Sequence, residues 1–586
     1  LKETHSSMGN AVPGSCAIKE EKSAFQAEQH VLVHQYLFPM YVVKVSDFLQ
    51  MRGVPEPHHV LKQKGLLHEW QPGMFVIFIS HQWLGFRMPD PAGLQVAVLR
   101  SALRGLMDQT LKVEADMTQM DFGKATSYEQ VADGYLFLDW FAIPQITARS
   151  SGVNEDMTRS DAALAVQSIP AYVEACDMFV ALVPDLFHFD TSLPCNYTTW
   201  LSRGWCRAEL WCRLLSTRRD TSVIVIFAAR EALYMFPLDW QKNLISDGLF
   251  TVESDREDVV KLGEMALASK IEHLRASGPL AEYRFYLARR SALLNVPPEE
   301  WDLKGFLDHF GFSDVEAAVK QDTGLTGILC ATLAGNLEML RVLVQNRADP
   351  NGRCDGLVNL GYYDTQTVLM VAAKSHQDPC VLSTLIELRA DPGLVSRSGI
   401  TAMWLALEPG HVQALLEGKA DLFAFASPLN GIAGRASTAT VRMLLESRCD
   451  ASRYSLDGFG ALHAVPFFSR ANRHACETTK LLISFRADVN MRAEPKGPMF
   501  WECFRARVHT AIFGLEASAY RRKLATIPGS SPLMGAAVMG DKALVKILLE
   551  NDADLDLRNY RGDTAEDLAQ AAGHSELLQL LATFSV

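Results

Sequence analysis

The sequence predicts a multidomain protein in which an α/β domain with a doubly wound parallel sheet precedes an all-α solenoid. The first observation is a set of short apolar runs that alternate with longer helical patterns before residue 275. Short apolar strands that alternate with helices indicate a parallel sheet covered on both faces. The second observation is a motif that recurs with a period of about 30–35 residues from Asp322 onward, which is the signature of a solenoid.

Composition limits the classes of function. The chain has 586 residues, 48% hydrophobic and 21% charged, and is too long for one hydrophobic core. Its formal net charge of −12, without a Lys/Arg-rich run, argues against binding to nucleic acid or to an anionic membrane. No apolar run approaches the roughly 20 residues of a membrane span.

The cysteines indicate the compartment. There are 11 of them, and no pair of CxxC motifs occurs. Neither a disulfide framework nor a zinc ribbon is therefore suggested, and we expect a reducing, cytoplasmic location and no metal site.

Changes in pattern along the chain predict the domain boundaries. Residues 1–30 mix Gly, Ser and charged residues without periodicity, and the helical pattern that follows is broken by Pro55 and Pro57. The predicted divisions are a disordered lead-in (1–30), a helical cap (31–70), the α/β domain (71–275), a helical linker (276–320) and the repeats (321–586).

The predicted sheet follows from the apolar runs. Four runs are predicted strands: Met74–Ile79, Tyr135–Leu138, Met178–Val183 and Val223–Ala229. Helices are predicted at 92–108, 161–176 and 203–216, and a fifth strand over Gly248–Val252 is followed by a helix from Asp255 to Leu274. In such sheets ligands bind in the crevice beyond the carboxyl ends of the strands.

The residues after the predicted strands are polar or aromatic. They include Ser80, His81, Trp83, Asp139 and Trp140. Ser80 and His81 are adjacent on a strand and point to opposite faces, so a hydrolase triad is not expected. Asp139 either caps the following loop or faces the ligand.

The stretch from Ser202 to Leu210 joins a turn, a helix start and one acid. Ser202 is a candidate helix cap, and Trp205 and Glu209 are four residues apart on the following helix. Glu209 is either a catalytic carboxylate at the strand-end crevice or a solvated or salt-bridged glutamate. The candidate arginines for that pairing are Arg203, Arg207 and Arg213.

These residues resemble a known family. The matching segments are Phe78-Ile79-Ser80, Leu138-Asp139, Cys176-Asp177 with Phe179–Val183, and Trp205-Cys206-x-x-Glu209-Leu210. They look like the Toll/interleukin-1 receptor (TIR) domain, which has a flavodoxin-like fold, and most like its plant-type version. The loops His81–Gly85 and Ala142–Gln145 depart from the family, so the domain looks like a divergent, TIR-like branch.

The TIR resemblance implies that Glu209 catalyses cleavage of the nicotinamide–ribose bond of NAD, which is a substrate here and not a resident cofactor. Cleavage of that bond builds positive charge on the ribose, which a carboxylate stabilises. Ser80, His81, Trp83, Asp139, Trp140 and Trp205 are the expected ligand-binding residues around it. Self-association of the domain is a further expectation of the resemblance.

The repeats resemble ankyrin repeats. The recurring turns are Ala348-Asp349, Ala390-Asp391, Ala420-Asp421, Cys449-Asp450, Ala487-Asp488 and Ala553-Asp554. About seven degenerate units are expected, each a helix pair that buries its apolar face by stacking on its neighbours. Residues 491–529 are predicted to be an insertion, in which Trp501 and Phe504 are either core or exposed contact residues.

Two functional hypotheses remain open. In the first, the ankyrin repeats bind a protein partner and target or regulate a TIR-like domain that hydrolyses NAD. In the second, the chain is a non-catalytic scaffold and the TIR-like domain is an assembly module. The sequence places the protein in signalling under either hypothesis.

Overall fold

The computed structural model describes residues 36–113, 128–145, 155–218, 220–235, 240–241, 243–320, 325–354, 356–362, 365–422, 427–514 and 517–584. The predicted lead-in over 1–30 lies outside these residues.

A mixed seven-stranded sheet organises the described part of the N-terminal half. The strands are β1 (Tyr41–Lys44), β2 (Leu67–Glu69), β3 (Val76–His81), β4 (Tyr135–Phe137), β5 (Met178–Leu182), β6 (Leu186–Phe187), β7 (Pro194–Cys195), β8 (Ile224–Ala228) and β9 (Glu231–Tyr234). Their order in the main sheet is β2-β1-β4-β3-β5-β8-β9, and β6 pairs with β7 in a separate hairpin. The four central strands, β4, β3, β5 and β8, are parallel.

The central strands are apolar because both of their faces are covered. All residues of β3 and β5 are buried. Phe78 of β3 stacks on Phe137 and on Phe179, with ring centroids 4.9 and 5.2 Å apart. The α/β sheet predicted from the apolar runs is therefore confirmed, and its parallel strands have the 2-1-3-4 order of flavodoxin-like sheets.

Helices cover both faces of this sheet. They are α1 (Val45–Gln50), α2 (His58–Gln63), α3 (Leu94–Met107), α4 (Asp139–Ala142), α5 (Glu155–Gln167), α6 (Ile169–Ala175), α7 (Tyr197–Trp200), α8 (Gly204–Leu214) and α9 (Asp255–Ser277). The connection through α3 leads from β3 to β4, whereas the one through α8 runs in the opposite direction across the sheet, from β5 to β8. Right-handed crossovers in opposite directions place their helices on opposite faces.

Two predictions about this domain are wrong. The segment 31–70 was expected to be a helical cap, but besides α1 and α2 it contributes β1, which pairs antiparallel with β4, and β2, which pairs antiparallel with β1. Residues Gly248–Val252 do not form a strand; Leu249 makes an isolated bridge to Arg203. The sheet instead ends at β9, which pairs antiparallel with β8.

The C-terminal half is helical. Three helices follow the sheet domain: α10 (Leu280–Leu294), α11 (Leu303–Phe310) and α12 (Val315–Val319). The described repeats contain seven helix pairs: α13 (Gly327–Ala334) with α14 (Leu337–Gln345), α15 (Val368–Lys374) with α16 (Pro379–Glu387), α17 (Ala402–Leu405) with α18 (Pro409–Glu417), α19 (Pro428–Ile432) with α20 (Thr438–Glu446), α21 (Ala461–Phe468) with α22 (Ala475–Ser484), α25 (Pro532–Met539) with α26 (Lys542–Leu549), and α27 (Ala565–Ala572) with α28 (Ser575–Phe584). A further helix hairpin, α23 (Gly497–Phe513) and α24 (Ala519–Thr526), lies within the segment 491–529.

The turns of the repeats share one backbone device. A non-glycine residue with positive φ follows the second helix of six pairs: Arg347, Arg389, Lys419, Arg448, Arg486 and Asp552. Side chains beyond this turn then bind the neighbouring repeat, as where Asn351 Nδ2 donates to Arg389 O at 3.2 Å. Asp391 N returns a hydrogen bond to Asn351 Oδ1 at 2.7 Å. Polar contacts thus join adjacent repeats at the surface while apolar helix faces stack inside.

The solenoid also contacts the α/β domain. Arg470 Nη1 and Lys523 Nζ lie 2.6 and 2.5 Å from Glu231 Oε1. At a second place, Gln241 Nε2 donates to Leu360 O at 3.4 Å. The edge of the sheet is therefore held against repeats that are far apart in sequence.

Candidate functional site

The predicted site residues gather at the carboxyl end of β3, on its two sides. Ser80 and His81 are consecutive and point to opposite faces of the sheet. Ser80, Trp200 and Glu209 form one group, called the Glu209 cluster. The His81 cluster consists of His81, Trp83, Gln95 and Asp139.

Hydrogen bonds through Ser80 define the Glu209 cluster. Ser80 Oγ donates to Glu209 Oε2 at 2.6 Å and accepts from Trp200 Nε1 at 3.1 Å. Ser80 is fully buried and Glu209 is half-buried. Burial raises the pKa of Glu209 to about 8, and Asp139 adds to the rise while the Ser80 bond and His81 oppose it. Glu209 is therefore mainly protonated at neutral pH.

Close backbone packing sets the start of α8, the helix that carries Glu209. Gly204 N donates to Leu249 O at 3.0 Å. A Cβ at Gly204 would lie 1.9 Å from Phe250 Cζ, so only glycine allows this approach. The prediction that Ser202 caps this helix is wrong, because Ser202 Oγ donates to Thr198 O at 2.9 Å instead.

The arginines near Glu209 are engaged elsewhere. Arg207 Nε donates to Leu201 O at 2.6 Å, and Arg213 Nη1 donates to Cys176 O at 3.1 Å. Arg203 donates to the hydroxyl of Thr251. The structure therefore gives Glu209 a hydroxyl partner, Ser80, and not one of these arginines.

The His81 cluster contains a partly buried ion pair, in which His81 is buried and Asp139 half-buried. His81 Nε2 lies 2.9 Å from Asp139 Oδ1, and its Nδ1 lies 2.8 Å from Gln95 Oε1. Both ring nitrogens face oxygen acceptors, an arrangement that only the protonated imidazolium satisfies fully. Burial lowers the pKa of His81, but Asp139 and Gln95 outweigh it, so the net shift is upward.

Asp139 holds this cluster together. Trp83 Nε1 donates to Asp139 Oδ2 at 2.7 Å, and Trp140 N donates to its Oδ1 at 2.6 Å. Burial raises the pKa of Asp139, but His81 and these two donors lower it by more, so the net shift is downward. Asp139 is thus an ionised carboxylate at the first position of α4, and it accepts from the backbone N–H of the next residue.

The predicted tryptophans separate. Trp83 packs edge-on against Trp140, with ring centroids 5.5 Å apart. Trp140 is buried and donates to Pro55 O at 3.0 Å. Trp205 lies away from both clusters and donates to Asp255 Oδ2 of α9 at 3.2 Å. The residues expected to surround one ligand are therefore divided between the two sides of β3 and α9.

Two functional candidates were missed from the sequence. Trp200 lies at the end of α7, and the capping box of Asn196 and Thr199 that starts this helix is a readable signal. Gln95 lies in the first turn of α3, and its Nε2 donates to Gln82 O at 3.3 Å, which directs its oxygen to His81. Its role depends on that orientation, which residue type alone does not indicate.

Two searches of the described residues were negative. No group of three or more His, Cys, Asp or Glu side chains there is placed to hold a metal ion. Among the same residues, no helix combines the length and apolarity needed to cross a membrane.

Comparisons with known proteins concern the repeats. The family model described as ankyrin repeats (many copies) matches residues 533–582. Ankyrin repeat domain-containing protein 37 of Bos taurus is 32% identical over 115 residues, 18% of this chain and 68% of that protein. The probable E3 ubiquitin-protein ligase XBOS32 of Oryza sativa subsp. japonica is 45% identical over 56 residues, 10% of this chain and 11% of that protein.

Among solved structures, the human ASB11 ankyrin repeat domain is similar, with 19% identity and a TM-score of 0.33. The similarity covers 44% of this chain and 97% of that one. Together with the stacked helix pairs, the sequence relatives establish that the chain belongs to the ankyrin-repeat family.

Proposed function

We propose that this protein is a cytoplasmic scaffold for signalling, whose solenoid recruits a protein partner while the α/β domain is held against the repeats. Ankyrin repeats are protein-interaction modules, which supports binding in general. The observation that carries the proposal is an apolar surface on α23, the first helix of the inserted hairpin.

This surface, called the α23 stripe, consists of large apolar side chains that are 45–69% exposed: Phe500, Trp501, Phe504, Val508, Ile512 and Phe513. Residues 500, 504, 508 and 512 recur every four positions and so lie along one side of the helix. The opposite side is buried at Cys503 and Ala506, where α23 packs on α24. Apolar patches of this kind mark protein–protein interaction sites.

The margins of the α23 stripe indicate the chemistry of the partner. With about 3.6 residues per turn, Arg505 and Arg507 lie on opposite margins of the stripe. Arg505 is paired with Glu502 at 2.8 Å, and Arg507 Nη2 donates to Tyr560 O at 3.5 Å. An amphipathic helix with acidic flanks would fit such a surface, since its apolar face would cover the aromatic rings. The two cations are already engaged, which fits a protein helix better than the polybasic surface that an anionic membrane selects.

A peptide-display experiment tests this function. We expect acidic amphipathic helices to be enriched on the full chain and to bind the double variant Trp501→Ser/Phe504→Ser at least about tenfold more weakly. Leu280→Ser is the matched control, because Leu280 is 48% exposed on α10. Peptides that bind the double variant equally well would contradict the proposal. Binding of wild type to anionic vesicles in place of peptides would assign the surface to membranes.

We propose NAD hydrolysis at Glu209 as a second candidate function, and the TIR-like resemblance belongs to this candidate. The supporting observation is that Glu209 lies beside β3 and β5, where doubly wound sheets bind ligands. Its neutral form at pH 7 does not stabilise a cationic ribose, so activity should rise with pH toward the Glu209 pKa of about 8.

Nicotinamide release from NAD by the full chain tests the second candidate. Glu209→Gln should abolish release, whereas Glu253→Gln, at an exposed surface pair, should not change it. If wild type releases no nicotinamide, or Glu209→Gln releases as much, the α/β domain is an assembly module. Self-association would then appear as concentration-dependent mass in sedimentation.

A further inference from the structure

A cavity of about 580 Å³ lies in the α/β domain. No residue of the Glu209 cluster or the His81 cluster lines it. It is lined by Leu49, Gln50, Met51, Arg52, Gly53, Arg100 and Arg104. These residues come from the end of α1, the turn after it, and the exposed side of α3. Its volume is within the range of small-molecule sites, which is about 300–1,000 Å³.

Three guanidinium groups line this arginine cavity. Arg100 and Arg104 are one helical turn apart on α3, and Arg52 is exposed in the turn after α1. Within the described part of the chain, none of the three forms an ion pair. The lining contains no carboxylate. Three arginines therefore line one cavity without a carboxylate among its lining residues, in a chain with a net charge of −12.

Backbone carbonyls orient two of these arginines. Arg100 Nη2 donates to Gly53 O at 3.2 Å, and Arg104 Nη2 donates to Leu49 O at 3.1 Å. The Arg100 guanidinium also lies over the Phe48 ring, 5.4 Å from its centroid. Because a guanidinium has five N–H donors, each retains donors for a ligand. The Nε of Arg100 is buried and has no hydrogen-bond partner.

Asp90, whose charge acts on Arg100, lies outside the lining and is engaged by backbone N–H groups. Asp90 is buried, and its two oxygens accept from Leu94 N and Val96 N at 3.0 and 2.8 Å, at the start of α3. Burial lowers the pKa of Arg100, the neighbouring Arg104 lowers it further, and Asp90 opposes them in part. An anion bound between them would relieve this repulsion.

We propose that the arginine cavity binds the di- or triphosphate group of a small molecule. A planar guanidinium can donate two hydrogen bonds to the oxygens of one phosphate. Three guanidinium groups carry three positive charges, which match the several negative charges of a di- or triphosphate better than the single charge of a carboxylate. A nucleotide and an inorganic polyphosphate share this chemistry. The inference is independent of the partner on α23 and of any reaction at Glu209.

Calorimetric titration of the full chain tests the proposal with pyrophosphate, tripolyphosphate and ADP as separate probes. We expect saturable binding that weakens with added salt. Arg100→Gln and Arg104→Gln should each weaken binding about tenfold or more, as loss of a charge-assisted contact does. Tighter binding of ADP than of pyrophosphate would assign the source to a nucleotide, and the reverse would assign it to inorganic polyphosphate.

Two further variants keep the test decisive. Arg52→Gln replaces an exposed side chain, so it should fold normally and still weaken binding. Arg275→Gln is the control, because Arg275 is an exposed arginine paired with Glu272 on α9. Absence of binding to wild type at millimolar pyrophosphate, or equal binding by wild type and all three cavity variants, would overturn the proposal.

Discussion

Glu209 and Glu231 are two carboxylates of the same sheet domain whose pKa values shift in opposite directions, although burial raises both. Glu209 has a hydroxyl partner, and burial raises its pKa to about 8. Glu231 lies between Arg470 and Lys523 of the solenoid, and although burial opposes ionisation, the two cations hold its pKa well below its usual range. The comparison shows that the partner, and not depth alone, sets the charge of a buried acid.

The difference also separates local from interdomain roles. The partners of Glu209 lie within the α/β domain, whereas the two cations around Glu231 come from the repeats. Arg470 further stacks over Phe227, 4.4 Å from the ring centroid. Glu231 therefore links the two halves of the described chain through ion pairs, whereas Glu209 belongs to the candidate site.

The largest expected effect is at Glu231. Glu231→Ala leaves two buried cations without their carboxylate and should reduce the free energy of unfolding by about 3–5 kcal/mol. Urea denaturation at pH 7 measures the loss. Glu253→Ala breaks the exposed pair with Arg256, which solvent screens, and should cost much less than Glu231→Ala. Equal losses in the two variants would remove Glu231 from its structural role.

The pH dependence should also distinguish the two acids. Because the folded-state pKa of Glu231 is lowered, its stabilisation is present above the unfolded value of 4.5 and is lost as the pH falls below it. The raised pKa of Glu209 acts in the opposite sense: its neutral form favours the folded state below pH 4.5, and that advantage declines as the pH rises toward about 8.

The second prediction concerns a variant in which the stability contributed by residue 209 does not decline with pH. Glu209→Gln cannot ionise, so at pH 9 it should be more stable than wild type by about 2–3 kcal/mol, after allowance for the partial exposure of Glu209. Unfolding free energies measured between pH 5 and pH 9 check this. A constant difference between variant and wild type across that range would show that Glu209 is already ionised in the folded protein.

A third prediction concerns the ion pair on the other side of β3. Asp139→Asn should cost about 2 kcal/mol at pH 6, because His81 loses its charged partner. The raised pKa of His81 means that its stabilisation is present below pH 6.5 and is lost as the pH rises through the folded-state value. NMR titration should show a lower His81 pKa in the variant, and an unchanged value would contradict the assignment.

The smallest effect is expected at Ser80. Ser80→Ala removes the hydrogen bond that opposes the rise in the Glu209 pKa, so that pKa should increase further. The cost should be about 1 kcal/mol greater at pH 9 than at pH 6, where Glu209 is protonated in both proteins, since the loss of the acceptor for Trp200 Nε1 is the same at both pH values. Ser277→Ala, at an exposed serine on α9, provides the control in the same denaturation series. A cost independent of pH would separate Ser80 from the titration of Glu209.

Local patterns predicted the elements whose cause is local. The apolar run at 178–183 and the motif around Ala553-Asp554 correspond to β5 and to a repeat turn. The pairing of β1 with β4 joins residues more than 90 positions apart, so the amphipathic pattern of 31–70 alone was ambiguous. Glu231 was missed for the same reason, because both cations that define its role come from the repeats.

The candidate site shows the same limit in finer detail. Alternation along β3 correctly separated Ser80 from His81. The spacing of Trp205 and Glu209 on one helix suggested a shared ligand, yet the Trp205 indole turns to Asp255, because α9 packs beside α8. Which side of a helix meets a neighbour depends on packing that spacing does not contain.

The two contacts of the α/β domain with the solenoid have a mechanical consequence. Glu231 holds Arg470 and Lys523, while Gln241 holds Leu360, so a short length of the sheet domain spans a long arc of repeats. An unattached solenoid extends like a spring, since each repeat contacts only its neighbours. Here the α/β domain connects two distant places of the solenoid. A force that stretches the repeats should therefore act first on these contacts with the α/β domain, and the solenoid should extend easily only after they break.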